Sequence, residues 1–571
     1  MDIPFLSSSK KIIYRISFLH NSLNPEKVLI FWILFFLSFV SFFTALITIN
    51  NKYLISVPDY GGTISEGIIG TPRFINPVLA TTDQDKDITA LVFSGLTKKT
   101  FDGGFMLDIA ESLEESDDGL RYRITIKQDA SFHDGQNITS DDIIFTIDKV
   151  QNPLIKSPHR VEWEGVSAEK INDKEIIFTL KKPFPLFKET LSLGILPKHI
   201  WKNLSDEQIS LSDFNIKAIG SGPYLIDTIE TSSGIPNKFI LRSYKNYTLG
   251  RPFIEIIKIS TYQNEKYLLK ALLDNDIQRL HGVTPEKVAS LGVASSSIHT
   301  SLLPRTFSIF FNPNKSSPLA DKNVRKALQM AINKDRIVTQ VLSGYGMSIN
   351  TPYPFDQEQV KNEYNPEKAR TLLFENKTIQ TSASSTFKVS LITANTDEMR
   401  EVAEIIKNDW EKIGVTVTIK IYDVSDLNQN VIKDRDFEVL LFGAITQTPS
   451  DLYAFWHSSQ RNYPGLNISN YVSKDLDEHL EILRSSINEE ERNFAYNELR
   501  KEFAEEVPGI FLFAPSLIYI TNDKITTFLP NFSYDNASRF TLVENWYRYT
   551  DKVWPATYYK PLLEKIQNII H

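Results

Sequence analysis

The sequence predicts an α/β protein that is joined to a membrane by one N-terminal transmembrane helix. Three observations support this prediction. An apolar run of 22 residues without charge lies near the N-terminus. The chain has 571 residues, too many for a single hydrophobic core. Strand and helix patterns alternate between Phe387 and Ile445, which is typical of a largely parallel sheet.

The apolar run is VLIFWILFFLSFVSFFTALITI, from Val28 to Ile49. As a helix it is about 33 Å long, enough to cross the hydrocarbon core of a bilayer. The basic residues before it are Lys10, Lys11, Arg15 and Lys27. The positive-inside rule therefore predicts a cytoplasmic N-terminus and an extracytoplasmic remainder.

A cleaved signal peptide is the alternative interpretation of this run. Such peptides have apolar regions of about 7–15 residues, and the bulky Phe43 lies close to the only plausible cleavage site, at Ala45. We therefore expect an uncleaved signal anchor. The predicted segments are a cytoplasmic tail (1–27), the transmembrane anchor (28–49) and a linker (50–61).

Composition excludes several classes of function. A formal net charge of -8 argues against nucleic acid as the main partner. The absence of cysteine excludes disulfides, zinc–thiolate sites, cysteine nucleophiles and a lipid-modified N-terminal cysteine. No histidines have helical metal-ligand spacing, and the nucleophile-elbow, phosphate-loop and dinucleotide motifs are missing. We therefore expect no metal, no cofactor and no enzymatic activity, although a glycosidase-like carboxylate pair cannot be located from sequence.

The stretch SFHDGQNITSDDIIFTIDKV first suggests a metal site or an acid–base pair around His133 and Asp134. A structural interpretation explains it better. Asp134-Gly135 is a turn dipeptide, and Thr139 stands three residues before Asp142, close to a capping box. Isoleucine and valine then recur at helical spacing, at positions 143, 144, 147 and 150.

The clearest α/β unit combines the strand FKVSLITAN, the helix DEMREVAEIIKNDWEKIG and the strands VTVTIKIYD and FEVLLFGAI. Ligands of parallel sheets bind beyond the carboxyl ends of the strands. The rule indicates two short segments, Thr393 to Asn395 and Ala444 to Gln447. The alternative is that both segments are ordinary loops.

Several sequence blocks together resemble the family 5 extracellular solute-binding proteins, the oligopeptide and dipeptide binders that serve ABC importers. They occur in the family's order between about residues 62 and 545. The blocks are FHDGQNITSDDIIFTI, IGSGPYLI, VRKALQMAINKDRIV, YNPEKARTLL, AEIIKNDWEKIGVTVTI, NISNYVSKDLDEHL and EEVPGIFLF.

The resemblance implies a two-lobed, periplasmic-binding-protein-like clamp that closes on its ligand by a hinge motion. It assigns lobe I to residues 62–95, 210–300 and 520–571, an extra subdomain to 96–209, and lobe II to 301–519. Family members commonly bind extended peptides through backbone hydrogen bonds. They are commonly periplasmic or lipid-anchored, so a transmembrane anchor is a departure that would keep the binder close to its permease.

The resemblance also implies where a ligand is held. Peptide binders pair the ligand's amino terminus with an aspartate at the position of Gln447, and glutamine cannot neutralise an ammonium group. Dipeptide binders place an arginine near the position of Thr393. Asp451 is a candidate substitute for the missing negative charge. The expected ligand contacts are Thr393, Asn395, Thr446, Gln447 and Asp451, with Phe74 and Asn76 as further candidates.

The sequence thus predicts a monomeric, membrane-anchored substrate-binding protein of an ABC importer, with oligopeptides as the leading ligand class and a permease as partner. Two alternatives remain open. One is an extracytoplasmic hydrolase of peptides or glycans built on the same clamp. The other is a scaffold that holds unfolded segments outside the membrane. Turnover of a labelled library would favour the hydrolase, and weak promiscuous binding would favour the scaffold.

Overall fold

The computed structural model describes residues 24–100, 104–292, 294, 297–356, 358, 363–376, 387–531 and 533–553. Most of the predicted cytoplasmic tail (1–27) and the end of predicted lobe I (554–571) lie outside these residues. The chain divides into two compact units. One comprises Met1–Asp59 with Tyr549–His571, and the other is Tyr60–Arg548.

The strands of the described residues are β1 (Ile55–Asp59), β2 (Thr63–Ile69), β3 (Thr97–Lys99), β4 (Phe105–Leu107), β5 (Ala110–Glu115), β6 (Arg121–Ile126), β7 (Val166–Asn172), β8 (Glu175–Leu180), β9 (Tyr224–Ser232), β10 (Ile235–Ser243), β11 (Ile256–Tyr262), β12 (Arg279–His281), β13 (Ile298–Leu302), β14 (Arg305–Phe311), β15 (Gly346–Ser348), β16 (Phe387–Ala394), β17 (Val415–Tyr422), β18 (Val439–Ile445), β19 (Gly509–Thr521) and β20 (Tyr549–Val553).

The helices are α1 (Pro25–Tyr53), α2 (Asp83–Val92), α3 (Ser140–Gln151), α4 (Phe187–Thr190), α5 (Lys198–Trp201), α6 (Asp206–Ile209), α7 (Glu265–Leu273), α8 (Pro285–Ser290), α9 (Lys322–Met330), α10 (Lys334–Gln340), α11 (Pro366–Phe374), α12 (Asp397–Lys412), α13 (Val424–Asp426), α14 (Leu452–Trp456), α15 (Lys474–Ser485) and α16 (Glu489–Glu506).

The smaller unit contains the helix α1 and a two-stranded ribbon. α1 has 29 residues, a mean hydropathy of 2.5 over its most apolar window and no buried residue, so it is long and apolar enough to span a membrane. The ribbon joins β1 and β20 in antiparallel register, with Ile55 opposite Val553. The predicted linker (50–61) therefore carries secondary structure, because α1 continues to Tyr53 and β1 follows almost directly.

The larger unit is built on a mixed sheet with the order β17-β16-β18-β14-β19-β12-β2-β11-β10-β9. β16 lies parallel to both β17 and β18, as the predicted α/β unit requires. β14 then pairs antiparallel with β18 on one side and with β19 on the other. Helix α12 covers this part of the sheet with an apolar face, which includes the buried residues Val402, Ile406 and Trp410.

Two large hydrophobic cores give the unit two lobes. The core of lobe II collects buried residues between Ile309 and Ala514. The core of lobe I collects residues from Ile64 to Ile259 and is completed by Tyr519 and residues further along to Trp546. A smaller cluster packs α7 and α8 against the second half of β19. The predicted α/β fold with two lobes is confirmed.

Two adjacent crossings connect the lobes. The chain enters lobe II between β13 and β14 and returns within β19, which pairs with β14 and β15 in lobe II and with β12 and β13 in lobe I. The two crossings are bonded to each other, since the Leu303 amide donates to the Pro515 carbonyl at 3.0 Å. Adjacent crossing segments of this kind are suited to act as a hinge.

The extra subdomain carries the four-stranded sheet β5-β6-β8-β7 and helix α3. The predicted capping box is present, because Asp142 Oδ2 accepts from both the amide and the hydroxyl of Thr139, each at 2.9 Å. Ile143, Ile147 and Val150 are buried as expected. The structural interpretation of this stretch is therefore confirmed.

His133 is bonded to the loop GSGPY through both of its ring nitrogens. Its Nδ1 accepts from the Gly220 amide at 3.3 Å, and its Nε2 lies 3.0 Å from the Gly222 carbonyl. Gly220 and Gly222 lie against the backbone of Val92 and leave no space for a Cβ atom. Among the described residues no group of three or more histidine, aspartate and glutamate side chains could hold a metal ion.

Candidate functional site

A cavity of about 420 Å³ lies between the lobes of the larger unit. Lobe I and the extra subdomain supply most of its wall, and lobe II supplies the loop after β18. The polar residues that line it include Lys86, Lys98, Lys99, Asp108, His159, Glu162, Glu189, Gln447, Thr448, Asp451, Tyr534 and Asp535. Both lobes therefore present polar groups to one shared cavity.

The loop after β18, which forms the lobe II wall of the cavity, is bonded to the segment that crosses between the lobes. The Thr446 amide donates to the Pro304 carbonyl at 2.8 Å, which ties the end of β18 to the crossing segment. Asp451 Oδ2 then accepts from the amides of Gln447 and Thr448, each at 2.8 Å. The Asp451 carboxylate therefore shapes the loop and reaches the cavity as well.

Gln447 makes a hydrogen bond that crosses from one lobe to the other. Its Nε2 donates to the Tyr534 carbonyl at 3.5 Å, and Tyr534 belongs to the segment that returns to lobe I. Lys99 lies over the ring of Tyr534, with its Nζ 4.3 Å from the ring centroid. A ligand between the lobes would meet this bridge directly.

Three carboxylates from the two lobes lie near one another in the cavity wall. Burial raises the pKa of Glu189, Lys99 opposes that rise, and the charge of Asp451 adds to it. Burial also raises the pKa of Asp451, against its backbone hydrogen bonds, and the charge of Glu162 raises it further. Glu162 is paired with His159 at 3.2 Å. This part of the cavity favours a positively charged group.

A buried polar network underlies another part of the wall. Lys98 Nζ lies 2.9 Å from Glu544 Oε2 and donates to the Tyr247 hydroxyl at 3.3 Å. The Tyr247 hydroxyl donates in turn to Asp108 Oδ2 at 3.2 Å, and Thr248 donates to the same carboxylate. Glu544 and Asp108 are both almost fully buried. The positive charge of Lys98 is therefore balanced by the carboxylate of Glu544 within the protein.

The structure brings two of the sequence-predicted residues, Gln447 and Asp451, to the cavity. Thr446 is buried behind them, beside the hinge. Thr393 is fully buried and its hydroxyl donates to the Leu441 carbonyl at 3.1 Å. Asn395 is exposed, and its amide group bonds to Asp423 at 3.0 Å and accepts from Arg400.

The predicted residues of lobe I lie next to the cavity but are not among its described lining residues. Asn76 is fully buried, where its Nδ2 donates to Asn215 Oδ1 at 3.0 Å and its Oδ1 accepts from the Val78 amide. Phe74 is half-buried against the core of lobe I. Their neighbours Pro77 and Ala80 do line the cavity.

The sequence did not indicate the opposite wall. Glu162 and Glu189 lie in irregular chain and a single helical turn of the extra subdomain, and Tyr534 follows β19. No local pattern marks such residues, because their role depends on tertiary contacts. The weak signal was composition alone, namely acidic residues in the loops of the extra subdomain.

The model of the bacterial extracellular solute-binding proteins, family 5 (middle region), matches residues 104–464, which is more than half of the chain. The chain belongs to the family 5 extracellular solute-binding proteins. The predicted membership is confirmed. The matched range includes Glu162, Glu189, Asp451 and the loop after β18, and it covers about half of the residues that line the cavity of this family 5 protein.

Curated relatives support the same membership. The oligopeptide-binding protein AppA of Bacillus subtilis is 30% identical over 479 residues, covering 80% of this chain and 87% of the relative. The dipeptide-binding protein of Escherichia coli is 23% identical over 474 residues, covering 78% and 87%.

Solved structures of binding proteins share the fold. The structure of Bacillus subtilis AppA in complex with a nonapeptide has 28% sequence identity and a TM-score of 0.65, covering 86% of this chain and 100% of that one. The substrate-binding protein CtaP of Listeria monocytogenes has 24% identity and a TM-score of 0.73, with the same coverage.

Proposed function

We propose that this family 5 protein binds oligopeptides between its lobes, outside the cytoplasmic membrane, and delivers them unaltered to an ABC permease. The observation that carries the proposal is the cavity whose polar wall is shared by the two lobes. The similarity to an oligopeptide-binding protein, solved with a nonapeptide, supports peptides as the ligand class.

Binding would act through the hinge. A ligand that contacts lobe I and lobe II together has its highest affinity when the lobes are closed, and it can drive closure only through that difference in affinity. The bonded crossings at Leu303 and Pro515 would absorb the change in backbone angles. An extended peptide would take much of its affinity from backbone hydrogen bonds.

The carboxylates would hold the ligand's positive charge, either its amino terminus or a basic side chain. We propose that Glu189, Glu162 and Asp451 share this role and that Gln447 adds a neutral hydrogen bond. A ligand ammonium relieves the repulsion among neighbouring carboxylates and forms charge-assisted bonds. Thr393, Thr446 and Asn76 would support the wall from behind, while Asn395 and Phe74 would contribute at its periphery.

Helix α1 would anchor the protein in the membrane as an uncleaved span. Its length and hydropathy suit that role, and the family is extracellular by description. Anchoring would keep the binder and its permease at a high effective concentration, which a freely diffusing monomer lacks.

The test uses the full chain in lipid nanodiscs, incubated with a mixed peptide library and washed. The expected result is one retained peptide per protein, recovered intact by mass spectrometry, with a micromolar or tighter affinity by calorimetry. Glu189→Gln should weaken retention. Glu230→Gln changes an exposed carboxylate that is not among the residues lining the cavity, and it should leave retention unchanged. Recovery of cleaved peptides would support a hydrolase instead. Weak binding of every peptide without closure in solution scattering would support a scaffold.

A further inference from the structure

The extra subdomain and lobe II touch at Gly119 and Ile487, which are not among the described residues that line the cavity. A Cβ atom built on Gly119 would lie only 2.7 Å from Ile487 Cγ2. Because a Cα–Cβ bond is about 1.5 Å long, the Ile487 methyl group lies within about 4.2 Å of the Gly119 Cα atom, which is contact distance. Pro183 lies beside Gly119, with its Cβ atom 3.7 Å from the same position.

The turn that carries Gly119 joins β5 to β6 and is fixed by its own hydrogen bonds. Ser116 Oγ donates to Asp118 Oδ1 at 2.6 Å, and the Gly119 amide donates to the Ser116 carbonyl at 2.8 Å. Gly119 has a φ of 65°, in the left-handed region that favours glycine. The next residue, Leu120, packs against the core of lobe I. The turn therefore presents a preformed backbone surface to lobe II.

Ile487 lies in the short connection between α15 and α16. The connection is held by its own hydrogen bonds, since the Ser486 carbonyl accepts from Arg492 at 2.9 Å and Asn488 Oδ1 accepts from the Glu490 amide at 2.9 Å. The Ile487 side chain is 46% exposed and is not part of the buried core of lobe II. Its truncation should therefore leave the fold of lobe II intact.

The chain on each side of this contact leads to the cavity. Pro183 is followed by Phe184, which lines the cavity. In lobe II, the Leu483 carbonyl accepts from Ser450 Oγ at 2.8 Å, and Ser450 precedes the lining residue Asp451. The contact between the β5–β6 turn and the α15–α16 connection therefore lies close to the cavity, and we call it the rim contact.

Opening of the lobes would break the rim contact. Gly119 and Ile487 belong to different lobes, and neither lies in the segments that cross between the lobes at Leu303 and Pro515. A contact that exists only when the lobes are closed raises the fraction of closed molecules. The apparent dissociation constant of a ligand falls in proportion as that fraction rises. The rim contact would therefore act on every ligand of the closed cavity by the same factor.

We propose that Ile487 is a positioning residue, which sets how tightly the closed lobes hold any peptide without contacting the peptide itself. The proposal rests on peptide binding between the lobes under the proposed function, although the effect on closure needs no ligand. A residue that contacts ligand changes the affinities for different peptides unequally, whereas Ile487 would change them equally. The change would lie mainly in the dissociation rate, because the lobes must open before a peptide leaves.

The test compares Ile487→Ala with the wild type and two control variants, all as full chains in lipid nanodiscs. Ile487→Leu keeps the apolar volume and should restore the contact. Ile235→Ala truncates an isoleucine that is 59% exposed and is not among the described lining residues. Affinities and dissociation rates are measured for two synthetic nonapeptides, one with a lysine side chain and one without.

Closure is measured in the same variants without peptide. The chain contains no cysteine, so a pair of introduced cysteines carries two spin labels without background. Leu154→Cys places one label on the extra subdomain and Phe494→Cys places the other on α16 of lobe II, both at exposed positions. The distribution of distances between the labels reports how many molecules are open.

We expect Ile487→Ala to raise the dissociation constants of both nonapeptides by the same factor, about three- to fivefold, with faster dissociation and more molecules at long label distances. Ile487→Leu and Ile235→Ala should stay within about twofold of the wild type. An effect on one nonapeptide alone would show that Ile487 contacts ligand and would overturn the proposal, as would unchanged affinities and distances. If neither nonapeptide binds to the wild type, the proposed function fails, and the label distances alone decide whether the rim contact favours closure.

Discussion

The loop after β16 and the loop after β18 leave the same end of the lobe II sheet, but their polar side chains have different partners. Asn395, after β16, is bonded to Asp423 and Arg400 within its own lobe. Gln447 and Asp451, after β18, face the cavity, and Gln447 is bonded to Tyr534 across it.

Distance from the hinge explains this difference. β18 pairs directly with β14, the strand by which the chain enters lobe II, and the Thr446 amide is bonded to Pro304 in the crossing segment. β16 lies one strand further from the hinge. In this two-lobed fold, the strand-end loop nearest the hinge is therefore the one that meets the opposite lobe.

The largest effect is expected for Asp451→Ala. The change removes a carboxylate from the cavity and the acceptor of two loop amides, so peptide affinity should fall about 10- to 100-fold, or about 1.4–2.8 kcal/mol, by calorimetry. Asp451→Asn removes the charge but keeps one oxygen that can accept from the loop amides. Comparing the two variants therefore distinguishes the effect of the lost charge from the effect of an altered loop conformation. An unchanged affinity in a variant with an unchanged melting temperature would remove the loop after β18 from the site.

Glu189→Gln should weaken binding of a peptide with a free amino terminus about tenfold. Because burial raises the pKa of Glu189 above the ordinary 4.5, its carboxylate becomes protonated at a higher pH than an exposed glutamate. Wild-type affinity should therefore fall as the pH is lowered from 7 towards 4.5, and the variant should show a flatter profile. A profile that is identical in both proteins would contradict the role of Glu189.

Gln447→Asp should change ligand preference about threefold, less than 1 kcal/mol. The new carboxylate favours a ligand ammonium but loses the donor to Tyr534, so the two effects partly cancel. The measurement compares a peptide with its N-acetylated form, and the preference for the free amino terminus should rise. If every isotherm stays the same, Gln447 does not contact ligand.

The smallest effects on binding are expected beside β16. Asn395→Ala and Thr393→Val should each keep peptide affinity within about twofold, a difference below about 0.5 kcal/mol. Thr393→Val should lower the free energy of unfolding by about 1 kcal/mol, because the buried Leu441 carbonyl loses a donor. A tenfold loss of affinity in Asn395→Ala would show that the loop after β16 contacts the ligand as well. The proposed difference between this loop and the loop after β18 would then be wrong.

Local patterns predicted much of the fold. The apolar periodicity of α12, the parallel strands beside it and the capping box at Thr139 follow from residues within a few positions of one another. The sequence VTVTIKIY of β17 alternates apolar and polar residues, but the alternation predicts burial only in the first half of the strand. Val415 and Val417 are buried, but Ile421 is 44% exposed, because β17 is the edge strand of the sheet.

The candidate site was predicted only on its lobe II side. Ligands of parallel sheets bind beyond the carboxyl ends of the strands, and this rule indicated the loops after β16 and β18. It does not indicate which of the two loops faces the other lobe. Glu189 and Tyr534 are separated from Asp451 by about 260 and 80 residues in sequence, so only the folded chain brings these groups together. Thr446 is predicted as a contact because of its position, and its amide is bonded to the Pro304 carbonyl in the segment that crosses between the lobes.

The position of β19 late in the chain has a consequence for biogenesis. Its first half completes the core of lobe II, and its second half packs into that of lobe I. Under the proposed anchoring by α1, the chain after the anchor would cross the membrane in sequence order and would lack this shared strand until residue 521 has passed. Both lobes would then complete their cores together and late, and the apolar surface exposed until then would be prone to aggregation.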